Sequence, residues 1–175
     1  GPADLDPWSI GRGRHAGRVA EEGAARGLRI GWIEQFGPYR TDPGVARLTA
    51  ASMAALAAEG ASVEPIAPAC FADVFSYYQV LATAAHATRM GAIVAQWGEL
   101  ITPAFRESAA IGASWSGTDL LRAQDRRAVL FREVQALFRR FDVLATPTML
   151  KPPPTVDAGG SICTEWYAEI AAPLY

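Results

Sequence analysis

Apolar positions along this chain switch between a run of strand length and the spacing of a helix face, and the switches divide it into elements. Leu28-Arg29-Ile30-Gly31-Trp32-Ile33 is a short apolar run that predicts a strand. Glu34 to Arg40 is broken by Gly37 and Pro38 and reads as a loop. Thr41-Asp42-Pro43 predicts a helix start: Thr41 or Asp42 can accept from the free first-turn amides, and Pro43 suits the first helical position. Val45, Leu48, Ala51, Ala55 and Leu56 follow at helical spacing and are expected to form the apolar side. Gly60 supplies a left-handed stop, and Ala61-Ser62-Val63-Glu64-Pro65-Ile66 has the alternating character of a second strand. A strand, a helix and a strand in that order predict a parallel pair with a right-handed crossover.

The helical period resumes over residues 71–98, with Phe71, Val74, Phe75, Tyr78, Leu81, Ala85, Ile93 and Trp97 on apolar and aromatic faces. Gly98 to Gly117 contains Pro103, Gly112 and Trp115 and reads as irregular. Thr118-Asp119 is the expected cap of a further helix running to about Arg140. Its apolar side would carry Leu120, Leu121, Val129, Leu130, Val134, Leu137 and Phe138. Phe141-Asp142-Val143-Leu144-Ala145 predicts a third strand, stopped by Thr146-Pro147-Thr148. Pro152-Pro153-Pro154 predicts an extended connector, and Glu165 to Tyr175 the start of one more helix. Residues 1–27, rich in Gly, Pro, Arg and Asp and without apolar periodicity, read as a connecting arm in front of a domain over 28–175.

Composition narrows the function classes. Half of the 175 residues are hydrophobic, enough to bury a real core. The net charge of −2, from 16 basic and 18 acidic residues, offers no large field to a polyanion, so nucleic acid is not an expected partner. No apolar run approaches a membrane span, and Gly1 to Ser9 lack the basic-then-apolar layout of a secretory signal. Cys70 and Cys163 lie far apart without metal-ligand neighbours, and two free thiols in a reducing cytoplasm is the preferred reading.

Candidate chemistry is sparse. His15 sits in the Gly/Arg-rich arm, a poor platform for a positioned base, and His86 sits on an alanine-rich helix without an acid partner at readable spacing. His86 is read as packed or surface-lying. Two histidines and two cysteines at unrelated spacings form no metal shell, so no metal is expected. No serine stands in a Gly-x-Ser-x-Gly elbow, and Gln35-Phe36-Gly37-Pro38-Tyr39 is a poor phosphate cradle because Pro38 has no amide hydrogen. Arg122 and Arg126, one helical turn apart with Asp125 between them, read as a salt-bridged helix face rather than a substrate contact. Thr146, Pro147 and Thr148 leave a buried strand at its C-terminal end, where ligands sit in open α/β sheets.

Taken in order, these pieces resemble the amidase-signature family. Gly1-Pro2 through Asp6-Pro7-Trp8-Ser9 looks like that family's linker after its signature region. Leu28-Arg29-Ile30-Gly31-Trp32, Phe36-Gly37 and Asp42-Pro43-Gly44-Val45 look like its strand–loop–helix. Arg122-Ala123-Gln124 with Arg127, then Phe141-Asp142-Val143-Leu144 and Thr146-Pro147-Thr148, look like its later helix–strand pair. Each piece alone is weak; five in the same order, at fitting spacing and over nearly the whole chain, are much stronger.

The resemblance implies an α/β fold with α/β/α layers around a mixed sheet, here an incomplete part of it, and hydrolysis of a carboxamide by a Ser–cis-Ser–Lys triad. In such a triad the outer serine attacks, a neutral lysine acts through the bridging serine, and backbone amides of a glycine-rich loop hold the oxyanion. None of the three residues can be placed here, so the catalytic set is empty. Lys151, the only lysine, stands beside three prolines, and Gly159-Gly160-Ser161 lacks the second serine and the glycines that follow it. The catalytic segment is expected before Gly1, and further strands after Tyr175. On this reading the chain forms scaffold and pocket wall, with Thr146, Pro147, Thr148 and Trp115 against a small-molecule amide, and no cofactor. Alone it would be inactive and prone to self-association through exposed sheet edges. The alternative is a non-catalytic α/β domain, derived from an amidase, that binds a ligand or partner.

Overall fold

A computed structural model describes residues 23–153. Residues 1–22 of the predicted arm over 1–27, together with Ser161, Cys163 and the helix expected from Glu165, lie outside the described residues.

The first strand, β1 (Arg29–Trp32), is followed by helix α1 (Pro43–Ala58) and strand β2 (Ser62–Pro65). α1 starts as its sequence dictates: the Asp42 carboxylate accepts from the amides of Gly44 and Val45, and Pro43 takes the first helical position. After the helix Gly60 adopts φ +98°, a left-handed conformation, and the chain turns into β2. β1 and β2 are parallel, with Ile30 opposite Val63. The strand β3 (Val143–Ala145) adds in parallel on the other side of β1, giving the order β2-β1-β3. All three described strands therefore end at one edge of the sheet. The central strand is the buried one, with Ile30 and Trp32 inside and Arg29 exposed.

At the start of the strands β1 and β3 are clamped. The Arg29 amide and Nε both donate to Asp142 Oδ2, at 2.9 and 3.1 Å, and its Nη2 donates to Oδ1 at 2.7 Å. The Asp142 amide returns a bond to the Arg29 carbonyl at 2.8 Å. This charge-assisted, two-pronged contact fixes the register of strands 113 residues apart in sequence.

Three further α-helices follow β2: α2 (Val74–Trp97), α3 (Pro103–Ser114) and α4 (Gly117–Leu137). The α3 helix corrects the expectation of an irregular stretch from Gly98 to Gly117. Pro103 is no breaker there, because it occupies the first turn, where its missing amide hydrogen costs nothing. Gly112 is no breaker either, because it is where α3 presses on α2. A Cβ built on it would lie 1.8 Å from the Thr83 carbonyl oxygen. The cap of α4 is also two residues earlier than Thr118: Ser116 accepts from the Asp119 amide while the Asp119 carboxylate accepts from the Ser116 amide, a reciprocal capping box. The helix ends at Leu137, short of Arg140.

The core lies at the C-terminal edge of the sheet. Ile33, Phe36, Phe71, Val74, Tyr77, Ala123 and Leu150 form one buried cluster, and the Phe36 and Phe71 rings stack at 4.4 Å. This joins the loop after β1, the start of α2, the middle of α4 and the segment after β3. Ion pairs brace it from outside: Arg126 reaches Asp73 at 2.6 Å, and Arg140 reaches Glu64 at 2.7 Å.

Helix faces depart from the sequence reading. Leu48 on α1 is 67% exposed, and Ala51 and Ala55 are exposed as well; the partly buried positions are Gly44, Val45, Ala46, Thr49, Met53 and Leu56. An alanine-rich helix has no sharp apolar stripe, so its apolar residues do not determine which side packs. Leu121, Phe131 and Phe138 on or next to α4, and Ile93 and Trp97 on α2, are likewise exposed, whereas small Ala123 is the buried residue of α4.

Candidate functional site

The residues expected to wall a pocket fall in two places. Thr146, Pro147 and Thr148 leave β3 at the edge where the strands end. Pro147 is fully buried, Thr148 is exposed, and the Thr146 hydroxyl donates to the Pro147 carbonyl at 3.0 Å. The Ile33 amide donates to the Ala145 carbonyl at 2.9 Å and the Asp42 amide to the Leu150 carbonyl at 2.8 Å, so the segment is held by both β1 and the mouth of α1. Trp115 lies elsewhere, at the corner between α3 and α4. Its indole Nε1 donates to the Thr83 hydroxyl at 2.8 Å, and Thr83 donates in turn to the Gln79 carbonyl at 2.7 Å. A cavity of about 340 Å³ at that corner is lined by Ala87, Gly112, Trp115, Ser116 and Leu120 among others.

The helices also enclose hollows that the sequence did not mark. One, of about 340 Å³ between α2 and α3, has the aromatic walls Phe75, Tyr78 and Phe105 with Gln79, His86 and Ser108. A neighbouring one, of about 430 Å³, is lined by Tyr78, Leu81, His86, Arg89, Met90 and Arg127. Tyr78, Ala82 and His86 border both. His86 Nδ1 lies 2.8 Å from Ser108 Oγ, and its ring tilts against Phe105 at 5.0 Å. It is thus packed, as expected, but hydrogen-bonded to a residue of α3. That partnership was illegible while residues 98–117 read as irregular.

Electrostatics outside these hollows are mainly structural. Arg29 holds the Asp142 carboxyl well below its ordinary range, at about 2, chiefly through the side-chain hydrogen bond. Ser116 lowers Asp119 in the same way. Arg122 stands 4.0 Å from Asp119 and Arg126 pairs with Asp73, which makes this stretch the salt-bridged face its sequence indicates. Burial, reinforced by Asp73, pushes the Tyr77 phenol up to about 12; its oxygen is buried without a hydrogen-bond partner. Cys70 is also raised, by burial and then by Glu133. Among the described residues no three His, Cys, Asp or Glu side chains gather as a metal site, and no helix is long and apolar enough to cross a membrane.

Comparison with known proteins decides the family. The Amidase family model matches residues 14–169. This chain belongs to the amidase family.

Solved structures carry the same fold at low identity. A bacterial aryl acylamidase of the amidase-signature family superposes with a TM-score of 0.65 at 20% identity, over 79% of this chain and 30% of that one. A 6-aminohexanoate cyclic dimer hydrolase gives 0.71 at 18% identity, over 100% of this chain and 38% of that one. A structure from work on the origins of an s-triazine catabolic enzyme, bound to an inhibitor, gives 0.69 at 23% identity, over 90% and 34%. This amidase-family chain thus spans about a third of the length of the structures it matches. No curated protein matches it in sequence.

Proposed function

We infer that this chain serves hydrolysis of a linear carboxamide to an acid and ammonia or an amine, as scaffold and pocket wall of an amidase. The match to the amidase family over residues 14–169 carries this reading. The position of Thr146, Pro147 and Thr148 supports it, since they follow β3 at the edge where the described strands end, the usual place for a ligand in an open parallel sheet. Thr148 is the exposed member and the one available to touch substrate, while buried Pro147 shapes the segment that presents it. Trp115 walls a separate corner through its bond to Thr83.

The chain by itself is proposed to be inactive. The only lysine, Lys151, lies next to Pro152 and Pro153 in an irregular segment, a poor site for a desolvated, neutral base. Strands β2 and β3 each have one unpaired side among the described residues, and Phe131, Phe138 and Val143 are exposed, so the isolated chain is expected to self-associate. Incubation of the purified chain with a simple aromatic or aliphatic amide should release no ammonia. Turnover that disappears on Ser161→Ala would overturn this part of the reading. In the polypeptide that carries the nucleophile, Thr148→Ala should raise KM for the amide while leaving thermal stability unchanged; a full-length protein that cleaves no amide would overturn the whole.

A further inference from the structure

The cavity between α2 and α4 contains an unusual pair of charges. Arg89 comes from α2 and Arg127 from α4, and both line the same hollow of about 430 Å³. On α4, Arg126 pairs with Asp73, and Arg122 stands 4.0 Å from Asp119. Among the described residues neither Arg89 nor Arg127 has an ion-pair or hydrogen-bond partner. Two guanidinium groups on the wall of one hollow offer an anion two sets of N–H donors. The rest of the wall is mainly apolar, supplied by Leu81, Ala82, Ala85 and Met90 with the Tyr78 and His86 rings. Across the Tyr78–His86 ridge this hollow adjoins the aromatic one walled by Phe75 and Phe105.

His86 stands on that ridge. The helical hydroxyls of Thr49, Ser52, Thr83 and Thr88 each donate to a carbonyl one turn back. The Ser108 hydroxyl instead meets His86 Nδ1 at 2.8 Å.

We propose that the α2–α4 cavity binds the carboxylate of an amphiphilic ligand between Arg89 and Arg127, with the ligand's arene or short acyl body lying over Tyr78 into the aromatic hollow. Guanidinium groups suit this task because their planar N–H fork matches a carboxylate in two-pronged geometry. The aromatic walls then select against small inorganic anions, which have no apolar body to bury. This site goes beyond amide hydrolysis and does not rest on it.

Calorimetric titration of the protein with 3-phenylpropionate, its neutral amide 3-phenylpropanamide, and acetate tests the proposal. The phenylpropionate should bind saturably and more tightly at low ionic strength. Its affinity should fall roughly tenfold in Arg127→Gln and in Arg89→Gln, the loss of one charge-assisted contact. The neutral amide and acetate should each bind at least about tenfold more weakly, one lacking the charge and the other the ring. Both arginines are exposed, so the variants should unfold at the parent temperature. Equal affinity for acid and amide, an unchanged affinity in both arginine variants, or no saturation by phenylpropionate below about 10 mM would overturn it. The readout is binding, so failure here leaves the amidase reading standing, and an inactive enzyme leaves this site standing.

Discussion

Substituting Gly112 by alanine should destabilise the protein even though alanine is the better helix former. Helix propensity alone favours Gly112→Ala by up to about 1 kcal/mol in the last turn of α3. The contact with α2 opposes it. The new Cβ would lie 1.8 Å from the Thr83 carbonyl oxygen and 2.3 Å from its carbon, both backbone atoms that no rotamer change can move. An ordinary contact begins near 3.4 Å, so the two helices must move apart at this point. That shift would break the Trp115–Thr83 bond, now 2.8 Å, and strain the His86–Ser108 contact, also 2.8 Å. Overpacking costs about 1–3 kcal/mol and a lost hydrogen bond about 1 kcal/mol, so the net loss after the propensity gain is about 1–3 kcal/mol. Gly91→Ala is the matched control, because Gly91 lies within α2 and its added Cβ would meet nothing within 4 Å. Urea unfolding monitored by circular dichroism should show Gly91→Ala neutral or stabilised by up to about 1 kcal/mol, and Gly112→Ala clearly destabilised. If the two variants unfold at the same urea concentration, the close approach of α3 to Thr83 is wrong.

Two further outcomes follow from groups with unusual surroundings. Tyr77 buries a hydroxyl without a partner, so Tyr77→Phe should leave stability unchanged or raise it by about 1 kcal/mol; a loss above about 1 kcal/mol in thermal unfolding would mean that the oxygen is hydrogen-bonded. The Asp142 carboxyl is held at about 2 in the folded chain by Arg29, below its ordinary value, so its contribution is fully present above the ordinary carboxylate range and is lost as pH falls from about 4 towards 2. Parent and Asp142→Asn unfolding curves should therefore converge over that interval, and a gap that persists at pH 2 would assign the effect to something other than this ionisation.

The elements legible in the sequence are those fixed within a few residues. Asp42-Pro43 caps α1, Gly60 ends it, and the β1–α1–β2 unit follows because each signal is local and agrees with the next. The missed helix α3 shows the limit. Pro103 and Gly112 are ordinary breaker signals, but proline is harmless in a first turn, and glycine is required where another backbone approaches, a fact stored in α2 rather than in α3. The Ser116 cap was hidden by its own partner: Asp119 looked like part of the cap, yet it is the carboxylate that answers it three residues on.

The functional surface was less legible than the fold for the same reason. Thr146-Pro147-Thr148 could be placed at the end of a strand because strand and proline are read locally. The Arg29–Asp142 clamp spans 113 residues, the His86–Ser108 contact 22, and the Arg89–Arg127 cavity joins two helices; no spacing rule along the chain connects such pairs. Among the described residues, several with ligand chemistry are therefore ones that the helix packing brings together. That packing depends on one glycine, Gly112, letting α3 lie against the Thr83 turn of α2 and so bringing Ser108 and Phe105 to His86.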